Sequence, residues 1–141
     1  MQRANAAWHD GAVAKPTLLL YPGAGTSCEH SSLVEIERRL GANADVRRTD
    51  FPYRREGRRA PDRAPKLLAA IRADLAALKR RSGPVIMGGR SMGGRMTTMV
   101  AVDVDGIGPV ERLAGLVLIC YPLHPPGKPD TLRVEHLPSI D

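Results

Sequence analysis

The chain has 141 residues, of which 43% are hydrophobic and 26% charged, a balance typical of one globular domain that can bury a core. Its net charge of +6 permits acidic partners, but only 4% of residues are aromatic, so bases would find few stacking platforms. No apolar run approaches the ~20 residues that span a bilayer, and residues 1–15 lack the apolar segment of a signal peptide. We therefore expect a cytoplasmic protein that binds neither membranes nor nucleic acid.

Apolar runs alternate with helical patterns, which favours βαβ units and a parallel sheet. The first run, Thr17–Tyr21, is continuous and predicts a strand buried on both faces, which Pro22–Gly25 then breaks. Ser32 lies three residues before Glu35, a spacing that predicts a capping box, and Gly41 predicts a left-handed helix stop.

The middle of the chain contains the clearest helical pattern. A weaker strand is predicted at Val46–Phe51, toward a sheet edge, and an Arg- and Pro-rich loop at Phe51–Pro65. A helix is predicted at Lys66–Arg81, with Arg80 and Arg81 suited to its C-terminal dipole and Gly83 ending it. The apolar residues of its buried face are Leu68, Ile71, Leu75 and Leu78.

The last elements surround a glycine-rich turn. A short buried strand is predicted at Pro84–Met87, and residues 88–94 turn sharply into a further helix whose methionines are interpreted as core. The final strand is predicted at Leu116–Cys120, with Cys120 buried, and an extended loop at Tyr121–Pro138.

Gly89-Arg90-Ser91-Met92-Gly93 matches the pattern G-x-S-x-G. It follows a predicted buried strand directly and opens a predicted helix, which is the context of a nucleophile elbow. Such a turn holds the serine in a strained conformation that pushes its hydroxyl out of the sheet. Ser91 is therefore the candidate nucleophile; the alternative is an ordinary glycine-rich turn.

An oxyanion hole needs two backbone N–H donors aimed at one point. Met92, directly after the candidate nucleophile, is one candidate. The loop after the first strand supplies the other, for which we nominate Ala24, with Gly23 as the second choice. An ordinary strand–helix turn is the alternative for this loop.

No cofactor or metal is predicted. Neither glycine-rich segment continues into a phosphate-binding or dinucleotide-binding pattern. Cys28 and Cys120 are far apart and lack the spacing of zinc ligands.

A general base is harder to place. Only His124 and His136 follow Ser91. In proteins with a nucleophile elbow, the catalytic histidine comes after the serine and late in the chain. His124 lies just after a strand end at the edge where ligands bind, so it is the candidate base, with an exposed or structural histidine as the alternative. His136 is a weaker candidate, and Asp130 and Asp141 follow no strand end.

The sequence resembles an α/β-hydrolase-like family that includes testis-expressed hydrolase-like proteins and a subunit of the non-specific-lethal histone acetyltransferase complex. Its bacterial members are similar to small dienelactone-hydrolase-type proteins. The resemblance runs from about Thr17 to Pro138. The segments that carry it are Pro22–Gly25, Phe51–Tyr53, Arg58–Pro61, Gly88–Arg95 and Tyr121–Gly127.

The resemblance implies a nucleophile at Ser91, oxyanion donors at Met92 and near Ala24, and a Tyr121 loop bordering the site. It also implies a sheet whose central strand contains Val85, flanked by the first and last strands, with the Val46 strand outermost. Family members continue past Ile140 into strands that carry the acid and the histidine. We therefore expect an N-terminal extension at 1–15 and a truncated α/β-hydrolase domain at 16–141.

The predicted fold is α/β, a partial doubly wound parallel sheet of about four strands. The predicted function is a serine hydrolase for an ester, thioester or related acyl bond of a small molecule, weakly active or inactive in this chain. The alternative is a non-catalytic interaction module, and a second chain could cover the exposed edge of the last strand. A third hypothesis is an anion-binding surface at Arg54–Arg63.

Overall fold

The computed structural model describes residues 14–78 and 83–141. In chain order its regular elements are β1 (Thr17–Tyr21), α1 (Ser31–Leu40), β2 (Asp45–Arg48), α2 (Pro52–Arg55), α3 (Ala64–Ala76), β3 (Val85–Arg90), α4 (Met92–Ala101), β4 (Leu113–Ile119) and a 3-10 turn (Leu137–Ser139).

The strands form one parallel sheet in the order β2-β1-β3-β4. Leu18 of β1 lies beside Ile86 of β3, which in turn lies beside Gly115 of β4. The α/β class and the strand order implied by the family resemblance are therefore confirmed.

Both faces of the sheet are covered. Leu19 and Tyr21 pack on one face with side chains of α3 and α4, while Leu18 and Leu20 pack on the other face with Leu33 of α1. Because side chains alternate along a strand, burial on both faces requires the continuous apolar run seen in β1. The sheet is doubly wound, as predicted.

The predicted capping of α1 is wrong. The N-cap is His30, whose ring accepts a hydrogen bond from the Ser32 N–H, so Ser32 already lies inside the helix. The Glu35 carboxylate binds Arg38 at 2.7 Å instead of reaching back to the cap, because a charged partner lies one turn further on. Gly41 ends the helix with φ −59°, so the predicted left-handed stop is absent there.

The segment predicted as one loop contains a helix. Strand β2 ends at Arg48, three residues earlier than predicted, and Phe51 becomes the N-cap of α2. Pro52 occupies the first turn of α2, where its fixed φ suits a helix and its missing N–H is not needed. Phe51 leaves the sheet because its ring is fully buried against Tyr21, with centroids 5.1 Å apart.

Helix α3 begins two residues before and ends five residues before the predicted bounds. Pro65 occupies its first turn, and Ala77 is its C-cap, so Gly83 is not the residue that ends it. Arg80 and Arg81 lie outside the described residues. Leu68 and Ile71 are buried as predicted, and Leu67 joins them.

Strand β3 extends three residues further than predicted. A Cβ at Gly88 would overlap the backbone of Val117, so the glycine lets β3 and β4 lie closely side by side up to the turn. Strand β4 begins at Leu113 and ends at Ile119. Cys120 lies just beyond it with φ 50° and is exposed, so the prediction of a buried thiol is wrong.

Strand β4 is an edge of the sheet within the described residues, since it pairs with β3 alone. The Leu118 side chain on this strand is 40% exposed. The exposed apolar edge expected from the sequence is therefore observed in the described part of the chain.

Several arginines of the basic segments are neutralised within the chain. Arg58 binds both Glu56 and Asp62, at 2.6 and 3.0 Å. Arg48 binds Glu29 and Glu37. These pairs reduce the positive charge available to an anionic partner of that surface.

None of the helices in the described residues has both the length and the apolar composition of a membrane-spanning segment.

Candidate active site

Ser91 connects the central strand to the helix that follows it. Its backbone has φ 49° and ψ −116°, a conformation that residues with a side chain rarely adopt and that costs on the order of 1–3 kcal/mol. Two hydrogen bonds hold it: the Ser91 N–H donates to the Ile119 carbonyl at 2.8 Å, and the Arg95 N–H donates to the Ser91 carbonyl at 3.0 Å. The side chain is half-buried and does not cap its own helix.

Glycines on both sides of Ser91 allow the strand and helix to pass the end of β1. A Cβ at Gly89 or at Gly93 would overlap the carbonyl oxygen of Tyr21. Because these contacts are with backbone, no side-chain rotation would relieve them. The glycines of G-x-S-x-G are thus needed for close packing of three backbone segments.

The loop after β1, here called the Gly-rich loop (Pro22–Gly25), lies beside Ser91. A Cβ built on Gly23 would lie 3.4 Å from Cβ of Ser91. The Gly23 carbonyl accepts from the Thr26 N–H at 3.3 Å. Since the C=O and N–H of a trans peptide point in opposite directions, the Ala24 N–H points away from Thr26. It makes no hydrogen bond within the described residues.

Met92 opens α4, and its N–H belongs to the first turn, where helical N–H groups have no partner inside the helix. The positive end of the helix dipole also lies there and favours developing negative charge. Ala24, in the loop beside Ser91, and Met92, directly after it, therefore each have an N–H group without a partner in the described residues.

Tyr53 has a structural role at this site that sequence reasoning missed. Its hydroxyl donates to the Ala24 carbonyl at 2.9 Å, and its ring is fully buried against Phe51. Burial raises the pKa of Tyr53, against the opposing effect of the Arg54 charge, and this keeps the hydroxyl a donor. The Phe51–Tyr53 segment carried part of the family resemblance, but no local pattern shows which carbonyl a tyrosine hydroxyl will reach.

Tyr21 anchors the same aromatic group from the other side. Its buried hydroxyl donates to Asp74 of α3 at 2.7 Å, and burial followed by the Asp74 charge raises its pKa far above the usual range. Tyr21, Phe51 and Tyr53 are stacked in series. This stack links α3 to the Gly-rich loop, so the position of the loop depends on the core.

The histidines after Ser91 are engaged elsewhere. His124 is exposed, and its Nδ1 lies 2.9 Å from its neighbour's carbonyl, that of Pro125. The Nε2 atom of His136 lies 2.8 Å from the Thr98 hydroxyl of α4. Neither ring hydrogen-bonds to Ser91 within the described residues.

The remaining sequence candidates also have no place at Ser91. Asp130 and Asp141 are exposed. The Cys28 thiol, which was not a candidate, is a poor nucleophile because burial, and then Asp50, raise its pKa. Within residues 14–78 and 83–141, no group of three or more histidine, cysteine or carboxylate side chains could hold a metal ion.

The chain is similar to known proteins in both sequence family and fold. A family model described as alpha/beta hydrolase domain matches residues 14–141. Among solved structures, the chain is similar to one reported for LipS and LipT, two metagenome-derived lipolytic enzymes, with a TM-score of 0.61 at 24% identity. The match covers 84% of this chain but 46% of that chain, so it concerns the fold of less than half of the neighbour. No curated protein matches.

Proposed function

Because this chain belongs to the alpha/beta hydrolase domain family, we propose that it is a serine hydrolase acting on a carboxylic ester, thioester or related acyl bond. Ser91 is the nucleophile in this proposal, and the N–H groups of Met92 and Ala24 stabilise the oxyanion. The observation that carries it is the backbone of Ser91, φ 49° and ψ −116°, at the carboxyl end of the central strand. A strained turn persists only where the surrounding packing holds it, and such turns cluster at active sites.

The chemistry is acyl transfer. Ser91 Oγ bonds to the carbonyl carbon, its proton passes to a base, and the carbonyl oxygen gains the negative charge that the two N–H groups accept. The leaving alcohol or thiol then takes a proton as the tetrahedral intermediate collapses. Water repeats the attack on the acyl-serine and regenerates the hydroxyl.

Within the described residues, neither His124 nor His136 hydrogen-bonds to Ser91, so neither is in place as the general base. Losing the base of a serine triad lowers turnover by about 10⁶. We therefore expect slow turnover from the arrangement described here. Of the two candidate bases, His124 is the one nearer to Ser91 in the sequence. Covalent labelling of Ser91 is a more sensitive test than turnover, because it needs one attack only.

The finer family placement is part of the proposal. The segments Gly88–Arg95 and Tyr121–Gly127 support the branch that includes the testis-expressed and non-specific-lethal-complex proteins. The lipolytic neighbour supports the fold alone, so its substrates enter here only as an analogy that favours esters.

A fluorophosphonate probe tests the nucleophile. The chain is incubated with the probe, and peptide mapping by mass spectrometry locates the modified serine. We expect the label on Ser91 and none on the Ser91→Ala variant. Ser32→Ala is the matched control, because Ser32, unlike Ser91, has a histidine within hydrogen-bond distance, with Oγ 2.9 Å from Nδ1 of His30, but lies in ordinary helical backbone.

Two results would overturn the proposal. Label that stays on the chain after Ser91→Ala would remove Ser91 as nucleophile. Equal labelling of Ser91 and Ser32 would show that the turn confers no special reactivity.

The alternative of an interaction module is supported by a different observation, the exposed apolar residues at the β4 edge and after it. Leu118 is 40% and Leu123 53% exposed. If this edge binds a second chain, Leu118→Lys reduces association in sedimentation experiments and Ser91→Ala leaves it unchanged. A monomer at all concentrations, with labelled Ser91, favours the hydrolase.

A further inference from the structure

A second group of side chains beside Ser91 has no use in the proposed acyl transfer. Arg95 lies on the first turn of α4, where its N–H binds the Ser91 carbonyl. Helical side chains lean toward the N-terminus of their helix, so the Arg95 side chain runs back toward the Ser91 turn. Arg95 therefore lies on the turn of α4 that is nearest to Ser91 and to the carboxyl end of β3.

Part of this guanidinium is buried without a partner. The Nε atom of Arg95 is inaccessible to solvent and makes no hydrogen bond within the described residues. Buried donors in folded proteins are almost always satisfied, and an exception calls for an explanation such as an absent ligand. Burial, followed by the charge of Arg133, lowers the pKa of Arg95, in keeping with a cation held in an unfavourable environment.

Arg133 is brought to the same place by the chain after β4. The Tyr121 hydroxyl donates to the Arg133 carbonyl at 3.0 Å, and the Arg133 N–H donates to the Leu123 carbonyl at 2.7 Å. Three residues later, His136 contacts Thr98, which lies one turn beyond Arg95 on α4. The segment that carries Arg133 thus packs over the helix face that carries Arg95.

The two arginines differ from Arg48 and Arg72, which are also half-buried. Arg48 and Arg72 each bind two carboxylates. Neither Arg95 nor Arg133 forms an ion pair or a side-chain hydrogen bond in residues 14–78 and 83–141. The charge of Glu135 raises the pKa of Arg95 without a hydrogen bond between them. Two like charges close together, one with a buried unused donor, are stabilised by an anion between them.

We propose that Arg95 and Arg133 form a binding site for a compact oxyanion, a carboxylate or a phosphate, one helical turn from Ser91. The planar guanidinium presents paired N–H donors that match the two oxygens of such a group. The site does not depend on Ser91 as nucleophile, and an anion bound there would lie on the same side of the sheet as the proposed oxyanion hole.

Thermal unfolding with inorganic phosphate or sodium acetate tests the site. Ionic strength is held constant with sodium chloride, and the Ser91→Ala background is included so that the result is independent of catalysis. We expect phosphate, acetate or both to raise the unfolding midpoint in a saturable way, and comparison of the two identifies the preferred oxyanion.

Arginine variants assign the effect to this site. We expect Arg95→Met and Arg133→Met to weaken anion binding by about tenfold or more. Arg39→Met is the matched control, because it removes one exposed arginine charge on α1, outside this site and outside the Arg54–Arg63 surface, and should leave the affinity unchanged. An equal response in Arg95→Met and the unmodified chain would overturn the proposal, as would no response to either oxyanion beyond that to chloride.

A second measurement covers the case in which Arg95→Met does not fold. In the unmodified chain, the Nε–H resonances of the arginines are followed by NMR during the phosphate and acetate titrations. We expect the Arg95 and Arg133 signals to shift in a saturable manner while the signal of Arg39, on α1, does not. Shifts of equal size at all arginines would indicate screening alone and would refute the site.

Discussion

Gly93→Ala examines whether close backbone packing is what holds the Ser91 turn. A Cβ at this position would overlap the Tyr21 carbonyl oxygen and would lie 2.7 Å from the Pro22 carbonyl oxygen, whereas real Cβ contacts below 3.0 Å essentially do not occur. Helix α4 must therefore move away from the end of β1. Overpacking costs about 1–3 kcal/mol, and overlap with backbone atoms, which cannot rotate away, places this case at about 2–3 kcal/mol; the better helix propensity of alanine returns about 1 kcal/mol.

The net loss of about 1–2 kcal/mol corresponds to a fall of roughly 3–10 °C in the unfolding midpoint for a chain of this length. The same displacement separates Ser91 from the Gly-rich loop, so we expect fluorophosphonate labelling to slow by about 10–100-fold. Urea denaturation followed by circular dichroism measures the first effect, and labelling kinetics in native buffer measure the second.

Gly115→Ala is the control for Gly93→Ala. It lies in β4, where an added Cβ would meet nothing within 4 Å. Its stability should equal or slightly exceed that of the unmodified chain, and its labelling rate should be unchanged. If Gly93→Ala unfolds at the same urea concentration as Gly115→Ala and labels at the same rate, close packing at the turn is not what positions Ser91.

Three further variants probe the surroundings of the site. Tyr53→Phe leaves a carbonyl of the Gly-rich loop without its donor, so unfolding free energy should fall by about 1–3 kcal/mol and probe labelling should slow. Burial, and then the charge of Arg95, lower the pKa of His136 in the folded chain. The unfolded chain therefore binds the proton more readily, so the free energy of unfolding should decrease as the pH falls below about 6.5. His136→Gln should lack that part of the pH dependence in urea titrations between pH 7.5 and 5.5. Arg72→Met should lower the free energy of unfolding by about 1–3 kcal/mol at pH 7, because Asp105 loses the hydrogen bonds that lower its pKa. The difference between the variant and the unmodified chain should shrink below pH 3.8, as the Asp105 carboxyl is protonated.

Each of these expectations has a clear contrary result. Unchanged labelling in Tyr53→Phe would show that the tyrosine hydroxyl does not position the loop. An identical pH profile in His136→Gln would mean that the His136 environment is the same in the folded and unfolded chain. A constant deficit of Arg72→Met down to pH 2 would assign its effect to lost side-chain packing and not to the ion pair.

Most of the fold could be predicted from local patterns. The continuous apolar run at Thr17–Tyr21 requires two covered faces, and the order of strands and helices then leads to a parallel sheet. The glycines around Ser91 predicted a tight strand–helix turn, because only residues without a side chain allow the backbones to approach so closely. These features depend on a few neighbouring residues and can therefore be predicted from the sequence.

Element ends were predicted less well, because distant residues decide them. Phe51 ends the second strand segment by burying its ring against Tyr21, thirty residues earlier. Glu35 turned away from the helix cap because two arginines were within reach. Cys120 is exposed because its positive φ turns the chain out of the sheet.

Local sequence patterns were enough to locate the strained turn at Ser91, whereas long-range packing sets the surroundings of that turn. Tyr53 reaches the Ala24 carbonyl across 29 positions, and Arg133 is brought to Arg95 by hydrogen bonds of a loop without regular pattern. Backbone conformation follows from steric limits on adjacent residues. Hydrogen-bond partners and ion pairs depend on which distant surfaces the folded core presses together.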